Sequence, residues 1–424
     1  GGRAVASVTS AIFILLAVGA LIGTWNMSGT IPTLVYYGIQ ILRPGWFYVA
    51  AAMICAVVSV AIGSSWTTAG TVGVGLVGIA IALGVSPAVT AGAVISGAYF
   101  GDKTSPLSET TVLSAQMVGT DLYTHIKTQI WTSGPAFIVA LIGFAIIGSQ
   151  TEVTAGVETV TDLTKLSELF WITPLTLVPL FLLGFLSYRK VPPSLAIMTA
   201  ALAGGLTAVV LQPEAVKRFV NSPDTATPIV FLKGIWLAMA NGFSENSGVA
   251  DVDRLVSRGG MDSMLITLWI IIGAVTFGTI MEEFGLLEKL INPVLLRARS
   301  QGKLFATAVA TGIGLNIFAG DQYIALVLPA RMFRVEFQKR GLQPQNLSRL
   351  AADAGTVTSP LVPWNSCGAF MAATLGVSTF LYFPYAIFNL ASPILSLIYG
   401  ITDFKIQKFP PGSLNELPSQ NSGP

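Results

Sequence analysis

The tetrapeptide Thr104-Ser-Pro-Leu107 interrupts an otherwise apolar stretch, and the same four residues recur 254 positions later as Thr358-Ser-Pro-Leu361. Each copy lies close behind an aspartate, Asp102 in the first and Asp353 in the second. Proline cannot donate the hydrogen bond of a helix interior, and inside a bilayer every freed backbone group needs a partner within the protein. The repeat therefore predicts a duplicated membrane protein, with two interrupted helices and a functional site between the copies.

The composition supports insertion into a membrane. Of the 424 residues, 53% are hydrophobic and 10% are charged, and the mean hydropathy is +0.71, whereas about a quarter of the residues of a soluble domain are charged. Apolar runs of roughly 20 residues are long enough to cross a bilayer as helices. They occupy 8–25, 128–148, 169–188, 194–211, 263–281 and 381–400. We therefore expect an all-α polytopic protein whose first partner is the lipid bilayer.

The remaining composition excludes several classes of protein. The net charge of +2 comes without a basic stripe, so nucleic acid is not an expected partner. Cys55 and Cys367 lie in apolar segments and have neither disulfide nor metal-ligand spacing. The sequence has no phosphate-binding loop, and no serine has a histidine or lysine placed as its base, so neither an ATPase nor another enzyme is expected. Transport by this chain would draw on an ion gradient.

A second pair of motifs indicates how the two copies are related. Gly63-Ser-Ser-Trp66 resembles Gly320-Asp-Gln-Tyr323, which lies 257 positions later. Lysine and arginine are frequent in 297–303 and 331–349 but nearly absent from the equivalent stretches of the first copy. Because basic loops favour the cytoplasmic side, this opposite bias predicts that the two copies are inverted.

Two segments are predicted to enter the membrane and return to the same side. Residues 304–330 are apolar but have basic residues at both ends, which suits two half-helices that meet at a tip over 316–323. By analogy, 46–82 forms a hairpin from the opposite face, with its tip over 63–68. A single full span is the alternative.

These segments define a domain plan with about 8 spans and 2 hairpins. The interrupted helices break at 101–108 and 356–365. The first repeat is expected to lack roughly 85 residues at its N-terminus when it is matched to the second. The plan contains a first repeat, an external loop, a second repeat and a disordered cytoplasmic tail, at 1–150, 151–168, 169–404 and 405–424.

Acidic and hydroxyl side chains are concentrated at the predicted tips and breaks. A carboxylate at the bilayer centre costs about 2.5–3.5 kcal/mol, so Asp102, Glu109, Asp321 and Asp353 are candidate functional groups. The accompanying oxygen ligands are Ser64, Ser65, Thr67, Thr104, Ser105, Thr110, Thr358, Ser359 and Asn365. Such a cluster suits a hard cation, and its carboxylate can hold Na+ or a proton but holds both poorly. The sequence predicts Na+ at Asp102, Asp353, Thr104 and Thr358, and no cofactor beyond the transported ions.

Structural roles are the alternatives for these charged residues. Each of the candidate aspartates can instead cap a broken helix through backbone N–H groups. Lys103 is predicted to form an ion pair with Asp102 or Glu109. His125, the single histidine, is expected in a surface loop.

Three longer stretches resemble the signature of the NhaC family of sodium–proton antiporters. They are Ser96-Gly-Ala-Tyr-Phe-Gly-Asp-Lys-Thr-Ser-Pro-Leu-Ser-Glu-Thr-Thr111, Gly320-Asp-Gln-Tyr323 with Leu328-Pro-Ala-Arg-Met-Phe333, and Asp353-Ala-Gly-Thr-Val-Thr-Ser-Pro-Leu-Val-Pro-Trp-Asn-Ser-Cys-Gly-Ala-Phe370. The resemblance runs from about residue 10 to residue 400. Glu109 stands where the family pattern has aspartate, and Ser114-Ala-Gln116 replaces a more usual pattern.

This resemblance implies an ion-transporter fold of two inverted repeats, two hairpins and two broken helices, assembled as a homodimer in the cytoplasmic membrane. The site residues it implies are Asp102, Thr104, Ser105, Glu109, Asp321, Asp353, Thr358 and Asn365. The expected activity is secondary antiport of Na+ and H+ by alternating access. Some family members instead exchange malate and protons for lactate and sodium, which is the alternative here. A channel built from the same parts is a third possibility.

Overall fold

The architecture is all-helical in a computed structural model that describes residues 2–151, 164–222, 225–249, 252–253, 256–296 and 298–410. Over these residues the only β-structure is an isolated bridge between Leu342 and Lys408. Six helices of the described chain are long and apolar enough to cross a membrane, or seven if one bent pair counts as a single span. The polytopic α-helical class predicted from composition is confirmed.

Residues 2–149 form seven helices. They are α1 Gly2–Met27, α2 Thr30–Ile41, α3 Pro44–Ile62, α4 Ser65–Ala82, α5 Pro87–Thr104, α6 Glu109–Val118 and α7 Leu122–Ser149. Within α4, residues Ala69–Gly73 form a π-helical segment. The sequence did not predict α2, because its 12 residues are too few for a membrane-spanning run.

The rest of the described chain continues the helical bundle. Its main helices are α8 Val178–Tyr188, α9 Pro193–Leu211, α10 Pro213–Val220, α11 Thr227–Asn241, α12 Leu265–Glu283, α13 Leu286–Leu296, α14 Gln301–Phe318, α15 Gln322–Lys339, α16 Pro344–Ala351, α17 Ser366–Leu375, α18 Thr379–Tyr382 and α19 Ile387–Thr402. A π segment, Ala352–Thr356, continues α16, and a 3-10 turn, Ser359–Leu361, follows it. Most of the predicted external loop, 152–163, lies outside the described residues.

Three pairs of glycines with left-handed backbone recur at one fixed offset. All six have φ between 66° and 77°, a region in which a side chain is disfavoured. The pairs are Gly63 and Gly320, Gly84 and Gly341, and Gly119 and Gly376, each 257 residues apart. Left-handed turns therefore recur at a constant spacing in the two parts of the chain.

Both predicted tips contain a helix interruption closed by a capping side chain. In the first tip, Ser64 follows Gly63, and its Oγ accepts a hydrogen bond from the backbone N–H of Thr67 at 3.2 Å. In the second tip, Asp321 Oδ1 accepts from the N–H groups of Tyr323 and Ile324 at 2.8 and 3.1 Å. Each cap satisfies backbone donors at the start of the next helix, so both helices begin where the sequence places the tips.

After each of the two predicted breaks, the next helix begins at an equivalent position. Helix α6 restarts after Ser108, whose hydroxyl accepts a hydrogen bond from Thr111 N at 3.4 Å. Helix α17 restarts after Asn365, whose Oδ1 accepts from Cys367 N at 3.0 Å. These two caps are again 257 residues apart, and both lie inside the predicted breaks.

The helices beside each tip pack closely on the broken helix of the same half. Ser59 Oγ donates to the carbonyl of Ala98 at 2.6 Å and joins α3 to α5. Asn316 Nδ2 donates to the carbonyl of Gly355 at 2.6 Å and joins α14 to the π segment after α16. On the outside of the bundle, large apolar side chains such as Trp269 are exposed, which suits contact with lipid.

The first six residues of the predicted disordered tail, 405–410, are ordered in the structure. Backbone hydrogen bonds join Phe409 N to Gly341 O at 2.8 Å and Gln343 N to Gln407 O at 3.0 Å. The correction applies to 405–410, where main-chain pairing with the start of α16 replaces the disorder predicted from polar composition. Residues 411–424 lie outside the described part of the chain.

Candidate functional site

A cavity of about 740 Å³ lies where the two tips, the first break, α1 and the α8–α9 turn meet. Seven of the predicted site residues line it: Ser64, Ser65, Thr67, Asp102, Glu109, Thr110 and Asp321. Because residues from both halves of the chain form its walls, this cavity is the candidate transport site.

Asp102 is the buried carboxylate of the first break. It lies in the last turn of α5 with 6% of its surface exposed. Its Oδ2 accepts a hydrogen bond from Ser65 Oγ at 2.6 Å, and its Oδ1 accepts one from Ser108 Oγ at 2.5 Å. Thr111 Oγ1 donates to the backbone carbonyl of Asp102 at 2.9 Å and so satisfies a group freed by the break. In the described chain no lysine or arginine pairs with this carboxylate, which leaves it open to a proton or a metal ion.

Aromatic side chains from both tips reach across the cavity region to the opposite half. Tyr323 of the second tip donates from its hydroxyl to Glu109 Oε2 at 3.0 Å, and Glu109 is exposed at the start of α6. Trp66 of the first tip stacks on Phe370 of α17, with ring centroids 4.1 Å apart and planes inclined by 12°. Each tip therefore contacts the restarted helix of the other half.

Asp353 has a different environment from that of Asp102. It lies in the π segment, fully buried, and its Oδ1 forms an ion pair with Lys103. Gln129 Nε2 and Ser392 Oγ donate to the same oxygen at 3.0 and 2.7 Å, and Ser396 Oγ donates to Oδ2. This carboxylate is neutralised within the protein.

The predicted pairing of Lys103 with Asp102 or Glu109 is therefore wrong. Successive residues of a helix point about 100° apart, so Lys103 turns away from the cavity when Asp102 faces it. The lysine Nζ also donates to Ser392 Oγ at 2.7 Å, which directs it toward α19.

The side chains of the other predicted ligands form hydrogen bonds within the protein. Hydroxyl-to-carbonyl bonds run from Thr104 to Phe100 at 2.8 Å, from Ser105 to Val60 at 2.7 Å, from Thr358 to Ala354 at 2.5 Å and from Ser359 to Thr356 at 2.7 Å. Asn365 Nδ2 donates to Asn316 Oδ1 at 3.0 Å. The four residues predicted to share Na+ thus do not form one hydrogen-bonded cluster. Over the described residues, no group of three or more His, Cys, Asp or Glu side chains is placed to hold a metal ion.

Comparison with known proteins identifies the family. Residues 2–117 and 97–404 match the family model for the Na+/H+ antiporter family. Over 397 residues the chain is 38% identical to a Na+/H+ antiporter NhaC of Alkalihalophilus pseudofirmus. The matched region covers 94% of this chain and 83% of that protein. The chain belongs to the Na+/H+ antiporter family.

Two relatives from Bacillus subtilis carry different names. One, a malate-2H+/Na+-lactate antiporter, is 35% identical over 399 residues, covering 92% of this chain and 81% of the relative. The other, a Na+/H+ antiporter NhaC, is 34% identical over 393 residues, covering 92% and 83%. The family resemblance found in the three sequence stretches is confirmed.

The prediction that His125 lies in a surface loop is wrong. His125 is fully buried on α7, and its Nδ1 lies 2.8 Å from Ser348 Oγ. His125, Gln129 and Ser133 are spaced by four residues and are all buried. That spacing places them on one face of α7. A stripe of polar residues on an otherwise apolar helix indicates that this face packs inside the protein, and it could have predicted the burial of His125.

Proposed function

We propose that this chain exchanges Na+ for H+ across the cell membrane and that Asp102 is the carboxylate the two ions occupy in turn. The supporting observation is its burial at the cavity with two hydroxyl donors and no basic partner in the described chain. Because one carboxylate cannot hold a proton and Na+ well together, binding of either ion displaces the other. The names of two NhaC relatives support the choice of ions.

The cavity wall supplies the other groups that a sodium ion needs. Hydroxyl oxygens of Ser64, Thr67 and Thr110 lie on the same wall as Asp102, and hard cations take oxygen ligands. Asp321 and Glu109 add negative charge to the cavity, which raises the local concentration of cations.

For the transport cycle we propose two inverted repeats, 1–150 and 169–404, that alternate access to this cavity. The three glycine pairs at a 257-residue offset support the duplication, and the opposite bias of lysine and arginine supports the inversion. In this arrangement α3 with α4 and α14 with α15 are the two hairpins. The C-terminus is cytoplasmic and the protein is a homodimer.

A sodium-coupled carboxylate exchanger is the second candidate. A cavity of about 740 Å³ is larger than a bare ion needs, and one relative is named a malate-2H+/Na+-lactate antiporter. The charge of the wall argues against an organic anion, because Lys190 is the one basic residue among its described lining residues, against three acidic ones.

Transport by full-length protein in proteoliposomes separates these candidates. A pH gradient is imposed, and proton flux is followed after Na+ is added with or without malate or lactate. We expect Na+ alone to trigger proton flux. Flux that requires the organic acid would establish the second candidate, and ion flux without coupling would indicate a channel.

A further inference from the structure

Tyr323 makes a polar contact between the two halves of the chain at the cavity. It lies in the first turn of α15, directly after the second tip, and 37% of its surface is exposed. Its hydroxyl donates to Glu109 Oε2 at 3.0 Å, and both residues line the cavity. Because both side chains are exposed, an ion that enters the cavity can reach this pair.

The internal repeat shows that this polar contact is not common to both tips. Trp66, 257 residues before Tyr323, also contacts the restarted helix of the other half, but it does so by stacking on Phe370 with ring centroids 4.1 Å apart. The position equivalent to Glu109 is Ser366. An aromatic ring is therefore present at both tips, whereas the hydroxyl and the carboxylate occur only in the pair at Tyr323. Packing accounts for the ring but not for these two polar groups.

The Glu109 carboxylate is held through one oxygen and keeps the other available. Oε2 accepts the Tyr323 hydroxyl, and Glu109 forms no ion pair with a lysine or arginine of the described chain. Glu109 and Asp102 line the same cavity, and their charges interact. The position of the Glu109 charge therefore affects how strongly Asp102 attracts a cation.

We propose that Tyr323 is a positioning residue for transport: its hydroxyl holds the Glu109 carboxylate at the cavity, where this second charge strengthens Na+ binding at Asp102. The assignment rests on the proposed exchange of Na+ for H+ at Asp102. A carboxylate attracts a cation through space without being its ligand. A carboxylate fixed in one place does so at a lower entropic cost than one that must be ordered when the ion binds.

The test removes the hydroxyl with Tyr323→Phe, which keeps the ring and its packing. The half-saturating Na+ concentration is measured in proteoliposomes at mildly alkaline pH, where protons compete weakly for Asp102. Tyr323→Phe is expected to raise it about two- to fivefold, the size of a charge interaction in a water-accessible site. The maximal rate at saturating Na+ stays at the wild-type value.

The matched control is the same substitution at another exposed tyrosine. Tyr123 lies in the first turn of α7, is 65% exposed and is not among the residues that line the cavity. Tyr123→Phe is expected to keep the wild-type Na+ dependence.

A double-mutant cycle tests whether Tyr323 acts through Glu109. Glu109→Gln removes the charge and is expected to raise the half-saturating Na+ concentration at least as much as Tyr323→Phe does. Once that charge is absent, the hydroxyl has no carboxylate to position, so Tyr323→Phe adds no further increase in the Glu109→Gln background. The Na+-induced rise in Tm measures the same affinities at equilibrium, independently of transport.

Several outcomes would overturn the assignment. An unchanged half-saturating Na+ concentration in either Tyr323→Phe or Glu109→Gln would exclude the role, and an equal increase in Tyr123→Phe would mean a general effect. An undiminished effect of Tyr323→Phe in the Glu109→Gln background would mean that Tyr323 acts without Glu109.

Asp102→Asn separates a wrong assignment from a wrong function. A transport-inactive Asp102→Asn together with a wild-type Na+ dependence of Tyr323→Phe removes only the positioning role. Coupled flux that persists in Asp102→Asn removes the proposed function and this inference together.

Discussion

At the scale of single residues, two buried aspartates of similar sequence context have opposite environments. Asp102 receives hydrogen bonds from two hydroxyl groups and faces a cavity. Asp353 is paired with Lys103 and surrounded by donors. A buried carboxylate that is already neutralised by an ammonium group has little affinity for a further cation, so of these two aspartates Asp102 is the one we propose for ion exchange.

The first prediction concerns that exchange. Asp102→Asn keeps the shape of the side chain but cannot carry charge, so Na+-driven proton flux in proteoliposomes is expected to fall to background while the protein stays folded. Asp403→Asn is the matched control, since Asp403 is exposed at the end of α19 and lies away from the cavity. Retained coupled flux in Asp102→Asn would contradict the proposal.

The second prediction concerns the ion pair. Lys103→Met leaves the buried Asp353 carboxylate without a cationic partner, which is expected to cost about 3–5 kcal/mol of the free energy of unfolding. The double variant Lys103→Met, Asp353→Asn removes both charges and is expected to recover most of that loss. Unfolding in detergent measures the stability of the single and the double variant. A double variant no more stable than Lys103→Met would show that the two charges do not stabilise each other.

Local sequence motifs contain Asp102 and the hydroxyl groups that contact it, whereas the contacts of Asp353 could not be predicted from such motifs. Asp102, its hydroxyl donors and the tips lie in short motifs that proline and glycine mark. The bond from Lys103 to Asp353 joins residues 250 positions apart, and no local pattern encodes such a contact. His125 was misplaced because a lone histidine was weighed without its neighbours Gln129 and Ser133, which share its helix face.

At the scale of secondary-structure elements, the tips depend on glycine. Gly63 has φ of 77°, and an added Cβ would lie 2.7 Å from the backbone carbon of Leu107. Gly320 has φ of 67°, and an added Cβ would lie 2.9 Å from Ala274 Cβ. Both tips therefore combine a left-handed turn with close contact to a neighbouring segment.

The third prediction follows from those two turns. Gly63→Ala and Gly320→Ala are each expected to lower the free energy of unfolding by about 1–2 kcal/mol from backbone strain alone, with the contacts adding to the loss. Gly314→Ala, in the interior of α14 with open space around it, is the control and is expected to be neutral or stabilising. The Tm of each purified variant is the measurement. Equal values for all three would show that the tips tolerate side chains.

Four of the six long apolar runs match long helices, whereas the runs 169–188 and 381–400 contain only the shorter helices α8 and α19. The runs 8–25 and 128–148 correspond to α1 and α7. Helix α2 has no hydrophobic run of spanning length, and its existence depends on packing against its neighbours. The start of the tail is fixed by pairing with a distant turn, which composition cannot reveal.

At the scale of the whole molecule, the 257-residue offset predicts which surface positions are equivalent. Ser86 caps α5 and Gln343 precedes α16 at the same offset. If the repeats are inverted, these positions lie on opposite sides of the membrane. The native cysteines, Cys55 and Cys367, are buried and give a low labelling background.

The fourth prediction uses that pair. With a membrane-impermeant thiol reagent, Ser86→Cys is expected to react in intact cells and Gln343→Cys only in inside-out vesicles. Gel-shift or mass spectrometry measures the labelled fraction. Labelling of both positions from one side would show that the two repeats are parallel.

The ordered start of the C-terminal segment has a practical consequence for protein engineering. Asn346 Nδ2 donates to the carbonyl of Gln407 at 2.6 Å and its Oδ1 accepts from Gln407 N at 3.0 Å, in the first turn of the helix that leads into Asp353. If a purification tag or fluorescent protein replaces the chain after residue 404, the hydrogen bonds between Asn346 and Gln407 are lost. Fusions joined after residue 410 keep these hydrogen bonds. Activities of differently tagged versions should therefore be compared between proteins whose tags follow residue 410.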